Sequence, residues 1–256
     1  MKPPLADPRD NLYVPADLNI KNDFEQLYIS LRRREQRIYT DKELFQLPDI
    51  AAGHPHFKEW LIRKQSCMEL ISHLELKKSI LHILEIGCGN GWLSYELSRI
   101  PGSMVVGIDI NLTELQQAAR VFSNHSKLRF VCGDIRSAVL KDLKFNTIVF
   151  AASIQYFPDL QEILAVAFNQ LYSGGEIHII DSRFYKPAEV DAAAKRTIAY
   201  YLSLGFPEMA NHYFHHCMTG LGGFSYKFLR NPDSLKLRLF GNKNPFYWIC
   251  IKKDPF

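Results

Sequence analysis

The chain has 256 residues, with 31 Lys and Arg against 27 Asp and Glu, so its formal net charge is only +4. That length suits one α/β domain with added helices and argues against a second full domain. The weak charge, with basic runs no longer than Arg32-Arg33-Arg34 and Lys252-Lys253 and no interleaved aromatics, argues against a nucleic-acid footprint.

Residues 1–20 carry Pro3, Pro4, Pro8 and Pro15 without any period and read as an irregular arm. From Asn22 onward Phe24, Leu27, Tyr28, Leu31 and Ile38 recur at helical spacing. A second helix carries Trp60, Leu61, Cys67, Met68, Ile71 and Leu74, and the stretch Leu47 to His56 between them is a loop by its prolines and glycine. From Ile80 strand and helix alternate, the pattern of a parallel sheet covered on both faces. Strands are expected at 81–86, 104–108, 128–132, 146–151 and 175–180, with helices at about 91–99, 112–123 and 158–172. Gly174-Gly175 reads as the turn into the fifth strand. A long helix starts near Pro187, carries Val190, Ala194, Ile198, Tyr201 and Leu202, and stops at Gly205. Two last strands, 225–230 and 246–252, flank a connection rich in Asn, Pro and Gly.

The most informative segment is Leu84-Glu85-Ile86-Gly87-Cys88-Gly89-Asn90-Gly91-Trp92, a buried strand running through three alternating glycines into a helix. Glycine has no Cβ, so the backbone can turn sharply there and bring bare amides close to a ligand at the helix N-terminus. Dinucleotide sites use G-x-G-x-x-G, and the third glycine would fall where Trp92 stands, which argues against a nicotinamide dehydrogenase. The next two strands each end in an acid. Asp109, followed by Ile110, lies about twenty residues beyond the last glycine, where doubly wound folds place a carboxylate on a ribose diol. Asp134, followed by Ile135, ends the third strand.

Glu85-x-Gly87-x-Gly89-x-Gly91 with its two downstream acids resembles the first motifs of the class I S-adenosylmethionine-dependent methyltransferases. The resemblance covers residues 80–256, with 1–79 a helical prelude and lid and an insertion at about 182–224. It implies a doubly wound seven-stranded sheet of order 3-2-1-4-5-7-6, with S-adenosylmethionine as cofactor. It further implies a cofactor site at Glu85, Gly87, Cys88, Gly89, Asn90, Gly91, Trp92, Asp109, Ile110, Asp134, Ile135, Ser153 and Gln155, with Asp134 beside the adenine amino group. The end of the fourth strand, from Ala151 to Phe157, then forms the floor between cofactor and acceptor. It lacks the Asp/Asn-Pro-Pro-Tyr/Phe signature of many exocyclic and amide N-methyltransferases.

A sulfonium donor needs mainly an aligned nucleophile in a pocket closed to water. A base is required only for an acceptor that must lose a proton. Tyr156, His215 and His216 are the candidate catalytic residues, with Asp181, Arg183 and Tyr185 just past the fifth strand as acceptor-pocket residues. If residues 208–216 were helical, Glu208, His212 and His215 or His216 would share a face suited to a metal. Gly205-Phe206-Pro207 instead indicates a loop, and no metal is expected. His178 reads as a satisfied core residue, and His54 and His56 flank a proline in the lid.

Five cysteines without a C-x-x-C pair fit neither a disulfide scaffold nor a zinc ribbon. The longest apolar stretch, Thr147 to Ile154, is too short to span a bilayer, and the first residues lack a secretory core, so a cytoplasmic location without membrane partners is expected. The favoured reading is a methyltransferase for a small molecule. The competing readings are a protein that binds S-adenosylmethionine without turnover, and a nucleic-acid methyltransferase.

Overall fold

The computed structural model describes residues 11–16, 23–77, 79–234 and 244–254. The prolines of the first ten residues, the expected helix start at Asn22 and the glycine of the last connection lie outside them. The central sheet is built from β1 (Leu12–Tyr13), β2 (Leu81–Ile86), β3 (Ser103–Asp109), β4 (Leu128–Cys132), β5 (Phe145–Ala151), β6 (Leu171–Ile180), β7 (Tyr226–Arg230) and β8 (Trp248–Lys252). Their spatial order is β1-β4-β3-β2-β5-β6-β8-β7. Without β1 this is the expected order 3-2-1-4-5-7-6. β1 to β6 are mutually parallel, and β8 pairs antiparallel with both β6 and β7. Eight strands replace the expected seven because part of the proline-rich arm is not irregular. Leu12 and Tyr13 pair with Phe130 and Val131 on the free edge of β4, and the Phe130 N–H donates to the Asn11 carbonyl at 2.6 Å. Two residues are too few to leave a periodic signal.

The helices are α1 (Asp23–Arg34), α2 (Asp41–Gln46), α3 (Phe57–Glu75), α4 (Trp92–Ser98), α5 (Leu112–Val121), α6 (Leu160–Asn169) and α7 (Val190–Leu204). α1 ends at Arg34, short of the expected Ile38, and α2 is an unexpected helix. Its signal is Thr40-x-x-Glu43: the Thr40 hydroxyl accepts from the Glu43 N–H while the Glu43 carboxylate accepts from the Thr40 N–H, a reciprocal cap. α6 starts two residues later than Pro158 because Asp159 caps it through the Glu162 N–H. β6 begins at Leu171, so Gly174 and Gly175 lie inside the strand as an irregularity, with pairing jumping from Phe145↔Leu171 to Thr147↔Glu176.

One face of the sheet buries Leu70 and Leu74 of α3, Leu93 and Leu97 of α4, and Leu115 of α5 against Phe130. The other buries Leu160, Ile163 and Leu164 of α6 against Phe150 and Ile177. Each such side chain contributes roughly 1.5–3 kcal/mol on burial. Two expected stripes are corrected. On α3 the buried positions are Trp60, Ser66, Cys67, Leu70 and Leu74, while Leu61 and Met68 are exposed; on α7 Ala193 and Tyr201 are buried, while Ile198 and Leu202 are exposed. A polar residue sits on the buried α3 stripe because Ser66 is a tertiary junction. Its hydroxyl donates to Asp181 at 2.5 Å and accepts from Arg230 and Asn244, tying α3 to the end of β6 and to the hairpin.

A third cluster closes the carboxyl end of the sheet. Leu31 of α1 packs with Tyr201 of α7 and Met209, and the Tyr200 hydroxyl donates to Glu35 at 2.5 Å. α1 and the segment after β6 therefore form one roof over the strand ends.

Candidate active site

The bend after β2 runs through Gly87, Gly89 and Gly91, all with φ between +52° and +75°. Two of these positions also have no room. A Cβ on Gly87 would lie 2.5 Å from the Ser153 Cβ, and one on Gly91 would lie 2.6 Å from the Phe130 ring. The expectation of bare amides is corrected for four of the five N–H groups from Gly87 to Gly91. The Gly87 and Cys88 N–H groups donate to the Ile108 carbonyl, the Gly89 N–H to Asp109 Oδ2 at 2.7 Å, and the Gly91 N–H to the Cys88 carbonyl. What the bend offers a ligand is mainly a surface without side chains, with the Asn90 N–H the main-chain donor of the bend left without an acceptor among the described residues.

Asp109 is therefore partly occupied: Oδ1 accepts from the Asn111 N–H at 2.8 Å as Oδ2 holds Gly89. Asp134 is held by Arg136, with contacts of 2.7 and 2.9 Å to its guanidinium, and Arg136 reaches on to Glu162. Both acids line a cavity of about 290 Å³ together with Gly87, Gly89, Ile110, Ile135 and Ser153. Ser153 is buried, and its hydroxyl donates to the Ile86 carbonyl at 2.6 Å.

A second cavity of about 510 Å³ adjoins the first, and Tyr28, Gly87, Gly89, Ala152 and Tyr156 line both. Its inner wall carries Glu85, Cys88, Asn90, Trp92 and Gln155. Trp92 packs edge-on against Trp60 of α3 at 5.1 Å. The Gln155 side chain bridges the Ala152 carbonyl and the Ser182 hydroxyl. Tyr156 meets Tyr28 and Tyr213 edge-on. Gly91 lines neither cavity, since it faces the core.

The electrostatics of the larger cavity are unusual. Burial pushes the Glu85 carboxyl up to about 8, against the pull of Ser94, whose hydroxyl donates to it at 2.5 Å. Burial likewise raises Glu114 to about 7, against the attraction of Arg32, and Asp181 to about 6, against Arg63. Glu59 goes the other way and falls to about 2, because Arg37 and Arg63 hold it and outweigh its burial. Ala152 and Asp181, at the ends of β5 and β6, have φ of +52° and +53°. Left-handed backbone at non-glycine residues costs roughly 1–3 kcal/mol each and is characteristic of functional sites.

The three clustered histidines diverge. Pro207–His212 is a short 3-10 turn followed by extended chain, so the helical face required for a metal does not exist. His212 packs on Phe24 at 4.7 Å and lines the smaller cavity. His215 Nε2 lies 2.9 Å from Thr197 Oγ1. His216 is buried with Nε2 3.1 Å from the Ile154 carbonyl. Neither His215 nor His216 lines either cavity. His56 Nε2 lies 2.7 Å from the Glu35 carbonyl, and its backbone N–H donates to His54 Nδ1, so this pair joins α3 to the turn after α1. Below the sheet His73, Glu176 and His178 bring ligating atoms within 4.8 Å of one another. Two of the three atoms already have partners, but the expectation of a satisfied core His178 is corrected, since its buried Nε2 makes no hydrogen bond among the described residues. Lys77 Nζ is 2.7 Å from Glu176, and the Trp248 indole donates to His178 Nδ1, which leaves the neutral ring's proton on Nε2.

Tyr28, Arg32, Glu59, Arg63, Glu114 and Arg196 also line the larger cavity and were not singled out from the sequence. They lie on the roof, on α3 and on α5, where charged positions on helices read as solvated faces.

A methyltransferase domain model matches residues 77–228. The malonyl-[acyl-carrier protein] O-methyltransferase of Acetivibrio thermocellus is 34% identical over 116 residues, covering 44% of this chain and 40% of that protein. A sterol 24-C-methyltransferase of Aspergillus fumigatus is 24% identical over 187 residues, covering 70% of this chain and 48% of that protein. The chain thus spans less than half the length of these relatives. The plantazolicin methyltransferase BpumL, solved with a triazolic desmethylPZN analogue and SAH, superposes with a TM-score of 0.53 at 17% identity, covering 92% of this chain and 98% of that one. With the domain match spanning more than half the chain, the strand order and the glycine bend together, this chain belongs to the class I S-adenosylmethionine-dependent methyltransferases.

Proposed function

We propose that the chain transfers the methyl group of S-adenosylmethionine to a small-molecule acceptor held in the larger cavity. The observation that carries this reading is that the two cavities share the glycine bend and Tyr156. The smaller one has the chemistry of a nucleoside site: apolar walls at Ile110 and Ile135 for a purine, and carboxylates at Asp109 and Asp134 for hydroxyl and amino donors. Glu85, Gly87, Cys88, Gly89, Asn90 and Gln155 surround the methionyl part, and the half-buried Arg32 faces its carboxylate. Gly91, Trp92 and Ser153 shape the bend through packing.

Bound there, the cofactor supplies an activated methyl group, so the residues of this chain have to position, desolvate and deprotonate. α1 and the segment after β6 form the roof that excludes water. Tyr156 sets the boundary between donor and acceptor. Asp181 takes the proton of a hydroxyl acceptor, since its carboxyl near 6 is ionised at neutral pH and still basic enough to receive it. His216 acts as a positioning residue for the segment after β5, and His215 supports Thr197 from behind the cavity wall. Among the described residues no helix is long and apolar enough to cross a membrane.

The test is production of S-adenosylhomocysteine by the purified chain given labelled S-adenosylmethionine and fractionated metabolites. Transfer into one fraction is expected. Tight S-adenosylmethionine binding without product from any fraction would favour the non-catalytic reading.

A further inference from the structure

Five arginines line the larger cavity, and they are not equivalent. Arg37 and Arg63 are committed to Glu59, and Arg32 lies over the Tyr28 ring beside Glu114. Arg183, just after β6, and Arg196, on α7, stand exposed at the mouth and make no ion pair or hydrogen bond among the described residues. Their surroundings are rich in donors. The Arg183 guanidinium lies 5.7 Å from the centre of the Tyr185 ring, and both arginines act electrostatically on the Tyr185 hydroxyl. Thr197 lines the same mouth with His215 2.9 Å from its hydroxyl, and the His215 ring packs on Tyr185 at 5.4 Å. The acid in electrostatic range of Tyr185 is Glu189, whose carboxylate is turned to the Lys186 N–H.

Two unpaired guanidiniums flanked by two hydroxyls form a receptor for an oxyanion, because a planar fork of N–H donors matches carboxylate and phosphate geometry. Farther in, Tyr156, Tyr201 and Tyr213 present ring faces and edges suited to a carbon skeleton. We propose that the acceptor is an organic oxyanion, a carboxylate or a phosphate ester, whose charged group rests between Arg183 and Arg196 while its nucleophile points inward to the glycine bend. This deepens the methyl-transfer reading and rests on it.

The experiment titrates inorganic phosphate by calorimetry into the S-adenosylhomocysteine-loaded chain and into its Arg183→Gln/Arg196→Gln double variant. Phosphate should bind the variant at least about tenfold more weakly, the loss expected on deleting charge-assisted hydrogen bonds, while S-adenosylhomocysteine affinity stays within about twofold. Equal phosphate affinity in both proteins, or no measurable binding to either, overturns the proposal. In a second arm, methyl label from S-adenosylmethionine should enter extract material retained on an anion exchanger. Label in its small-molecule fraction identifies a free acid or phosphate ester, and label in its protein-sized fraction identifies the same group tethered to a carrier. Label confined to unretained material overturns the proposal. Failure of both proteins to bind S-adenosylhomocysteine sinks the methyl-transfer reading separately, and phosphate titration of the unloaded proteins then decides the oxyanion site.

Discussion

Replacing Gly91 by alanine isolates the physical demand that the bend makes on its sequence. Gly91 has φ of +75°, and a methyl group there would sit 2.6 Å from Cε1 and Cζ of Phe130 and 3.0 Å from the Ala118 Cβ. Holding an L-residue in that conformation costs roughly 1–2 kcal/mol. Forcing a methyl group into a packed core costs roughly 1–3 kcal/mol more, because Phe130 is fully buried and cannot retreat without moving β4. Gly91→Ala should therefore lose about 2–5 kcal/mol of stability, by the same two effects. The assay is urea unfolding of wild type, Gly91→Ala, Phe130→Leu and the double variant. Shortening Phe130 relieves the overlap but not the backbone strain, so the cycle should show a favourable coupling of about 1–3 kcal/mol with the remainder persisting. A single variant within about 0.5 kcal/mol of wild type, or strictly additive changes, would refute the reasoning.

Three further outcomes are expected. Asp109→Ala removes the acceptor of the Gly89 and Asn111 N–H groups along with a proposed ribose partner, so calorimetry should show S-adenosylmethionine binding weakened by about 1–3 kcal/mol; unchanged affinity in a folded variant would sink the assignment. Glu85, raised by burial to about 8, holds a proton in the folded state that the unfolded chain releases near its ordinary value, so its contribution is present at low pH and is lost as pH rises through about 8. The melting temperature of the ligand-free protein should accordingly carry a fall between about pH 5 and 8 that Glu85→Gln removes, and an identical pH profile for the two proteins contradicts this. His178 has the opposite sign: burial lowers its imidazole to about 4, so below the ordinary histidine range the unfolded chain takes up a proton that the native ring refuses. Stability should fall as pH drops from about 6.5 towards 4 and should do so less in His178→Gln, as read by urea midpoints across that range.

Residues 81–181 were legible in outline because each core strand is an apolar run bounded by a turn and each helix carries its own period. The glycine bend, Asp109 and Asp134 were legible for a related reason. A fold that turns tightly after buried strands puts its ligand contacts at fixed offsets from those strands, and the offsets survive in the sequence. The meaning of the bend was less legible. Four of its amides are consumed by Ile108, Asp109 and Cys88, and only the packed chain reveals that Gly87 and Gly91 are required by Ser153 and Phe130.

The acceptor side was decided by tertiary structure. Glu59, Arg63 and Glu114 sit on helices as charges indistinguishable in sequence from a solvated face, and Ser66 interrupts an apolar stripe for a partner 115 positions away. The grouped histidines misled for the converse reason, since neighbours in sequence on an extended segment point to different partners. Local pattern reports what a residue does to its own backbone, and so the chain by itself determined the sheet, the bend and the donor. Cavities arise where distant segments converge, and it is the roofing of the strand ends by α1 and α7 that decided which charges were buried, which paired, and which two were left open at the mouth.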